Sequence, residues 1–265
     1  MLINFTKMHA LGNDFVIVDQ IRQQVRFNTA EIKRIADRKF GIGCDQVLLL
    51  EPPINPHSVC YVRIFNQNGH EAAQCANGMR AAAMYAVDSG LTNKLDFTIQ
   101  CQAGMYRAFI RNDNFITMEL LNLKVNIKEY TTTLFDQIIT LHGVSLGNSH
   151  VICKLESLIG IQVDKYAIKI AENNQLPANS NVSFMQVVTN KHIILRVFEN
   201  GVGETLACGS AACAAVIVGN SLGILDAETT VSFVHGDLDI VYIKGENILK
   251  ISGPATSVFF GSFRI

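Results

Sequence analysis

Apolar residues along this chain gather in short alternating or β-branched runs, punctuated by Gly, Asn and Pro. In the first half, Phe15–Val18, Val47–Leu50, Val59–Phe65, Phe97–Ile99 and Phe115–Leu120 read as strands. In the second, Val151–Cys153, Ser183–Val188, Ile193–Phe198, Val231–Val234 and Leu238–Ile243 do the same. Three segments carry helical signals instead. Thr29–Lys39 opens on Thr as a candidate N-cap and sets Ile32, Ile35 and Ala36 on one face. Ala76–Ser89 is rich in alanine and stops at Gly90, and Gly209 to about Asn220 is almost wholly apolar or small. Alanines in the last two segments let strands close tightly around them. The pattern predicts an α+β chain with one mainly buried helix per half, and the polar stretch Asn122–Thr133 is expected to join the halves.

Those halves are copies. Leu11-Gly12-Asn13-Asp14 returns 135 residues later as Leu146-Gly147-Asn148-Ser149, and Asp45-Gln46-Val47 returns at the same offset as Ser180-Asn181-Val182. Val62-Arg63-Ile64-Phe65-Asn66 returns as Leu195-Arg196-Val197-Phe198-Glu199, now 133 residues on, and Glu71 with Cys75 returns as Glu204 with Cys208. A single Gly-Asn pair recurs easily in an apolar, alanine-rich chain. Four landmarks in order at a nearly fixed offset indicate a duplicated unit of about half the 265 residues. Fused duplicates are expected to pair about an approximate twofold axis, as true dimers do.

Composition narrows the function. Hydrophobic residues make up 49% and charged residues 17%, enough to build a large interior and too apolar for disorder. A net charge of -1 and a pI near 6.6 argue against binding nucleic acid. The first fifteen residues are broken by Asn, Lys, His and Asp and hold no secretory core. The longest apolar stretch, Leu206–Gly219, is too short to span a bilayer, so no membrane role is expected. Seven cysteines at irregular spacings, with no C-x-x-C, point to neither a disulfide scaffold nor a zinc ribbon. The seven histidines lack zinc-hydrolase spacing. The expectation is a cytoplasmic protein with reduced thiols and no metal.

Cys75 and Cys208 each stand where a strand and loop give way to a helix. Helix-start N–H groups and the positive end of the helix dipole lower a thiol pKa there, and the amides of Ala76, Asn77, Gly209 and Ser210 can grip a carboxylate. If the pseudo-twofold holds, two thiols face one small carboxylate from opposite sides. One removes a proton from the carbon bearing that carboxylate while the other returns one to the opposite face, inverting it. Amides that tighten on the carboxylate as charge moves into it lower the barrier. His150 and Glu199 are candidates to help ionise the thiols. Asn13, Asn66, Asn148 and Asn181 are ordinary turn residues taken singly, but their repeat-related positions suit ligand contact. Cys44, Cys60, Cys101, Cys153 and Cys213 read as small buried hydrophobes. No lysine lies in a recognisable pyridoxal phosphate site, and Gly41-Ile42-Gly43 and Gly201-Val202-Gly203 lack the rest of a dinucleotide fingerprint, so no cofactor is expected. A thiol hydrolase built on Cys208 and His150 is a competing reading, although it leaves Cys75 without a task.

These residues resemble the diaminopimelate epimerase family along nearly the whole chain. The likeness is carried by Phe5–His9, Asp14-Phe15, Gly43–Gln46, Phe65-Asn66 to Gly69, Glu71–Gly78, Gly147–His150, Asn181–Met185 and, most specifically, Gly203–Ser210. The resemblance implies cofactor-independent isomerisation of LL- to meso-diaminopimelate in lysine and peptidoglycan synthesis. It implies Cys75 and Cys208 as catalytic thiols and substrate contacts at Asn13, Gln46, Asn66, Asn148, Asn181 and Glu199. It also implies two similar, pseudo-symmetric domains, residues 1–120 and 121–255, each a curved and mostly antiparallel sheet wrapped around a central helix, with residues 256–265 returning to the first. The partner expected is a small amino-acid substrate, with a homodimer as the one candidate assembly. Departures from the family pattern are Ala76 where C-G-N-G has glycine, Ser149 where G-N-P-H has proline, and Asn200 where E-R-G has arginine. Asn200 cannot make the bidentate charged pair by which arginine holds a substrate's distal carboxylate. A racemase acting on another amino acid is therefore the alternative, and a non-catalytic relative stays open beside it.

Overall fold

The computed structural model describes residues 2–111, 115–120, 125–135, 137–246 and 248–265. The chain divides into two compact units, Met1–Leu120 with Ser252–Ile265, and Leu121–Ile251. The first contains β1 (Leu2–Ala10), β2 (Asn13–Asp19), α1 (Thr29–Ala36), β3 (Gln46–Glu51), β4 (Ser58–Asn66), β5 (Glu71–Ala72), α2 (Ala76–Asp88), β6 (Asp96–Cys101), β7 (Gly104–Ile110) and β8 (Phe115–Leu120). The second runs through β9 (Ile127–Leu134), β10 (Gln137–Ser145), β11 (Ser149–Lys154), α3 (Val163–Ala171), β12 (Asn181–Thr189), β13 (His192–Glu199), β14 (Gly203–Thr205), α4 (Gly209–Ser221), β15 (Glu228–Phe233) and β16 (Gly236–Ile243). β17 (Ile248–Pro254) crosses the boundary between the units, and β18 (Thr256–Arg264) belongs to the first.

In the first unit β2 and β3 pair in parallel, as do β4 and β6, while β1–β2, β3–β4, β4–β5, β6–β7, β7–β8 and β1–β18 are antiparallel. The second unit repeats this scheme. β11–β12 and β13–β15 are parallel, and β9–β10, β10–β11, β12–β13, β13–β14 and β15–β16 are antiparallel. Register follows the sequence offset: Phe15 lies opposite Gln46 as His150 lies opposite Asn181, and Val47 opposite Phe65 as Val182 lies opposite Phe198. A one-residue slip would turn every side chain to the wrong face, so matched register shows that the duplication preserved which residues point inward.

Each sheet closes around one helix. α2 packs against β1, β2, β3, β4, β7 and β8, and α4 against β10, β11, β12 and β16. In α4 every residue from Ala211 to Gly219 is buried, as a helix apolar on all sides must be. Gly78 of α2 sits against Phe15 and Leu48, which marks the inward face of β2 and β3. Their other face supplies a second core: Val16, Val18, Val47 and Leu49 pack with Ile32, Ile35 and Ala36 of α1. Strands buried on both sides cannot alternate with polar residues, which is why Phe15–Val18 and Val47–Leu50 are unbroken apolar runs. α3 does for the second unit what α1 does for the first, laying Val163, Ala167 and Ile170 on Val151, Cys153, Val182 and Phe184.

Three expectations change. The first helix stops at Ala36 rather than Lys39, and its cap is Asn28, not Thr29. Asn28 Oδ1 accepts the Glu31 N–H at 3.0 Å while the Glu31 carboxylate accepts the Asn28 N–H at 2.8 Å, a reciprocal capping box. Of the proposed linker, residues 122–124 lie outside the described residues, but Ile127–Thr133 is strand, paired along its length with β10. It escaped notice because only Tyr130 and Leu134 are buried in β9, leaving a polar exposed face. α3 was also unforeseen, since its apolar stripe is narrow and short. No helix among the described residues is long and apolar enough to cross a membrane.

Candidate active site

Both cysteines singled out by the repeat are N-cap residues. Cys75 takes extended dihedrals (φ −152°, ψ 108°) at the start of α2, and Cys208 does likewise (φ −128°, ψ 111°) at the start of α4. A short antiparallel strand, β5 or β14, delivers each to a helix buried on nearly all sides, which fixes the backbone from which each sulfur projects. Cys75 Sγ accepts the Gly78 N–H at 3.3 Å, the bond by which an N-cap side chain satisfies a helix-start donor. Ala76 opens α2 in ordinary helical conformation, so the family's glycine is not needed there for a positive φ.

Around each sulfur the structure assembles the same three-residue group. In the first unit Cys75 Sγ lies 3.8 Å from Asn13 Oδ1, which also accepts from Asn77 Nδ2 at 3.3 Å. In the second, Cys208 Sγ lies 3.4 Å from Ser210 Oγ, which accepts from Asn148 Nδ2 at 3.4 Å. Asn13 and Asn148 are repeat mates, as are Asn77 and Ser210. Asn13 is presented by a hairpin turn, Leu11-Gly12, with both residues at positive φ (53° and 86°). Leucine rarely adopts that conformation, and here it is held by a buried side chain.

A second ring of polar groups follows on the strand ends. Gln46 Nε2 donates to Asn66 Oδ1 at 2.8 Å, and Gln46 Oε1 is buried with no hydrogen-bond partner among the described residues. In the second unit Asn181 Oδ1 accepts the Asn200 backbone N–H at 3.0 Å, and Glu199 Oε1 accepts from Thr205 Oγ1 at 2.7 Å. The Asn200 side chain is exposed and donates to Asn179 Oδ1 at 3.4 Å, so two neutral amides meet where the family pattern has a cation.

His150 does not stand where the sequence suggested. It is 1% exposed, neither ring nitrogen has a hydrogen-bond partner among the described residues, and burial pushes its pKa down to about 4. It is a neutral imidazole at pH 7 with no hydrogen bond to Cys208, so it does not ionise that thiol by direct contact. Its sequence position explains this: His150 occupies the inward strand position that Phe15 fills in the first unit.

Sequence reasoning missed a charged clasp beneath Asn13 and Gln46. Lys7 donates to Asp14 and to the Gly43 carbonyl; Arg38 grips Asp14 through both carboxylate oxygens at 3.0 and 2.7 Å and reaches Asp45 at 2.7 Å. Burial alone would raise the Asp14 pKa, but Arg38 and Lys7 outweigh it and hold the carboxyl well below the usual range. Asp45 Oδ2 accepts from Asn13 Nδ2 at 3.0 Å and from the Asp14 N–H at 3.1 Å. Each acid directly adjoins a polar amide in sequence, Asp14 beside Asn13 and Asp45 beside Gln46, and that adjacency was the available signal. Arg80, fully buried in α2, donates to Asn77 Oδ1 at 2.8 Å and fixes that amide in turn.

Comparison with known proteins agrees with the duplicated plan. A family model described as diaminopimelate epimerase matches residues 5–120 and 143–258. A protein of Teredinibacter turnerae named diaminopimelate epimerase is 38% identical over 279 residues, covering 100% of both chains. Another of that name from Acinetobacter baumannii is 38% identical over 273 residues, 98% of this chain and 97% of its own. Among solved structures, a Bacillus anthracis phenazine biosynthesis protein of the PhzF family superposes with a TM-score of 0.75 at 20% identity, covering 100% of both chains. A hydroxyproline epimerase from Agrobacterium vitis, with bound trans-4-hydroxy-L-proline, reaches 0.75 at 12% identity over 98% of this chain and 92% of that one. At these identities the two structures share the fold, α+β with two repeated halves.

Proposed function

Because the chain belongs to the diaminopimelate epimerase family, a family of isomerases, we propose that it interconverts LL- and meso-diaminopimelate by moving the α-proton between Cys75 and Cys208. The observation that carries this reading is the repeated group at two helix starts: a cysteine N-cap, a polar residue two positions on, and an asparagine from the preceding hairpin. A two-sided proton transfer needs two groups able to act as acid or base and a place for the charge that develops. Thiols suit the first because their ordinary pKa lies close enough to neutrality for both forms to be reached. Helix-start amides at Ala76, Asn77, Gly209 and Ser210 suit the second, since they strengthen their hold on the α-carboxylate as electron density enters it. No cofactor takes part in this scheme. Asn13, Gln46, Asn66, Asn148, Asn181 and Glu199 surround the substrate's polar groups. A cytoplasmic setting keeps both thiols reduced, and a homodimer is the assembly we propose.

Asn200 supports one alternative. With a neutral amide in place of the arginine, and Asn179 rather than a cation bonded to it, the pocket also suits an amino acid without a distal carboxylate. The test is to incubate the protein in deuterated water with LL-diaminopimelate and, separately, with a panel of L-amino acids, following the α-proton by NMR. Exchange and inversion of diaminopimelate alone support the proposal. Exchange of a panel member with diaminopimelate untouched favours the alternative, and no exchange in any sample removes both.

A further inference from the structure

The first half buries a guanidinium where the second has a thiol. Arg80, inside α2, has no exposed surface, and its repeat mate 133 residues on is Cys213. Taking a guanidinium out of water is costly, so its place calls for a reason. What it meets is an amide. Arg80 Nη2 donates to Asn77 Oδ1 at 2.8 Å, and Nη1 reaches the Ala76 carbonyl at 3.5 Å. Asn77 Nδ2 donates to Asn13 Oδ1 at 3.3 Å, and Asn13 Nδ2 donates to Asp45 Oδ2 at 3.0 Å. The row runs cation, amide, amide, carboxylate. Arginine can only donate and an ionised carboxylate only accept, whereas an amide turned end for end exchanges donor for acceptor. With a donor at one end and an acceptor at the other, a single orientation of both amides satisfies every bond in the row. In the second half the mates of Asn77 and Asp45 are Ser210 and Ser180. A hydroxyl donates or accepts by rotating about one bond and needs no such orientation. Both charged ends therefore stand in the half that has two amides to orient.

We propose that Arg80 is a positioning residue: with Asp45 at the far end, it sets the direction of the Asn77–Asn13 row and so keeps the Asn13 carbonyl on the Cys75 side of the site. The inference rests on the reading of this site given above and deepens it. Asn13 Oδ1 lies 3.8 Å from Cys75 Sγ. An amino-acid substrate brings an ammonium group, which a carbonyl oxygen accepts and an NH2 repels. That contact is made in the ground state as in the transition state, so losing it raises KM and leaves kcat nearly unchanged. While Asp45 is a carboxylate, it holds the direction even without Arg80. An amide at position 45 changes this, because Arg38, 2.7 Å from Asp45 Oδ1, turns the amide oxygen to itself and the NH2 toward Asn13. Both ends of the row then donate, and Arg80 alone keeps the Asn13 carbonyl from turning away.

The test is a double-mutant cycle on the amino acid that exchanges in deuterated water, with Arg80→Gln and Asp45→Asn. Both replacements are amides, so bonds in the row are kept and only its direction is freed. Arg80→Gln alone should leave KM within roughly twofold of the parent, and Asp45→Asn alone should raise it a few fold. Together they should raise KM at least about tenfold beyond the product of the two, with kcat nearly unchanged. Arg80→Lys, still a donor, combined with Asp45→Asn should behave as Asp45→Asn alone. Effects that simply multiply contradict the proposal, because damage at separate places adds without coupling. So does a loss of kcat in Arg80→Gln. Asn77→Ser gives a second route that does not depend on the double variant folding: with a hydroxyl in place of the amide, adding Arg80→Gln should leave KM unmoved, and a further rise contradicts the role. Direction is also read without substrate, by NMR of 15N-asparagine-labelled protein, the Asn13 NH2 being assigned by its loss in Asn13→Ser. A nuclear Overhauser effect from that NH2 to the Cys75 β-protons should be absent in the parent and in Arg80→Gln and present in the double variant. The effect in the parent, or its absence from the double variant, overturns the proposal. Failure of the epimerase reading removes turnover and leaves this spectrum unchanged.

Discussion

Cys75 and Cys208 each cap a helix, yet their polar neighbours differ: the Asn13 amide beside one, the Ser210 hydroxyl beside the other. Repetition in the sequence makes the pairing of the two cysteines legible, because an offset of 133 joins them and their flanking residues together. It does not show that Asp45 holds Asn13, since that bond bridges 32 positions and depends on the parallel pairing of β2 with β3. Nor does it show that His150 is buried, since the residue sits in a polar Gly-Asn-Ser-His string that reads as a loop. Its burial has a thermodynamic consequence. With a folded pKa near 4 against 6.5 when exposed, the unfolded chain binds the proton first as the pH falls. The stability of the fold is therefore complete above pH 6.5 with respect to this group and declines between 6.5 and 4, by about 3 kcal/mol at the lower limit. Urea unfolding of the parent and of His150→Phe, the residue found at position 15, should diverge over that window, the variant showing the flatter profile. Parallel profiles would mean that the imidazole is protonated in the folded state.

At the scale of elements, every strand expected from a β-branched run is present, because such side chains fit a pleated surface buried on one or both faces. β1, β9 and β18 are less legible: their sequences mix Lys, Asn, Ser and Thr with apolar residues, and pairing makes them strands, β9 with the adjacent β10 and β1 with β18, 247 to 262 positions away. The loop after α1 shows how an element serves the site. Gly41 folds back against the helix end, where an added Cβ would meet the Arg34 carbonyl at 1.8 Å and those of Ile35 and Asp37 at 2.9 Å. Backbone oxygens cannot rotate aside as a side chain can. Gly41→Ala should cost roughly 1–3 kcal/mol in urea unfolding, and it should also slow deuterium exchange, because the displaced loop carries Arg38, Cys44 and Asp45. A variant as stable and as active as the parent would show that the loop tolerates the shift and does not hold the clasp in place.

For the whole molecule, duplication explains both the shared architecture and the chemistry proposed for it. Matched registers in the two units, Phe15 opposite Gln46 and His150 opposite Asn181, place Asn13, Gln46 and Asn66 at strand ends near one helix start, with Asn148, Asn181 and Glu199 near the other. In the proposed reaction each half supplies one acid or base, and neither half suffices alone. The proposed reaction requires two different groups acting on opposite faces of one carbon. The most direct measurement is the early partition of isotope when LL-diaminopimelate turns over in deuterated water. Two-sided transfer predicts that meso product carries deuterium at the inverted centre while recovered LL substrate carries almost none, and that Cys75→Ala and Cys208→Ala each abolish turnover. Equal early labelling of substrate and product, or turnover surviving the loss of either cysteine, would contradict the account.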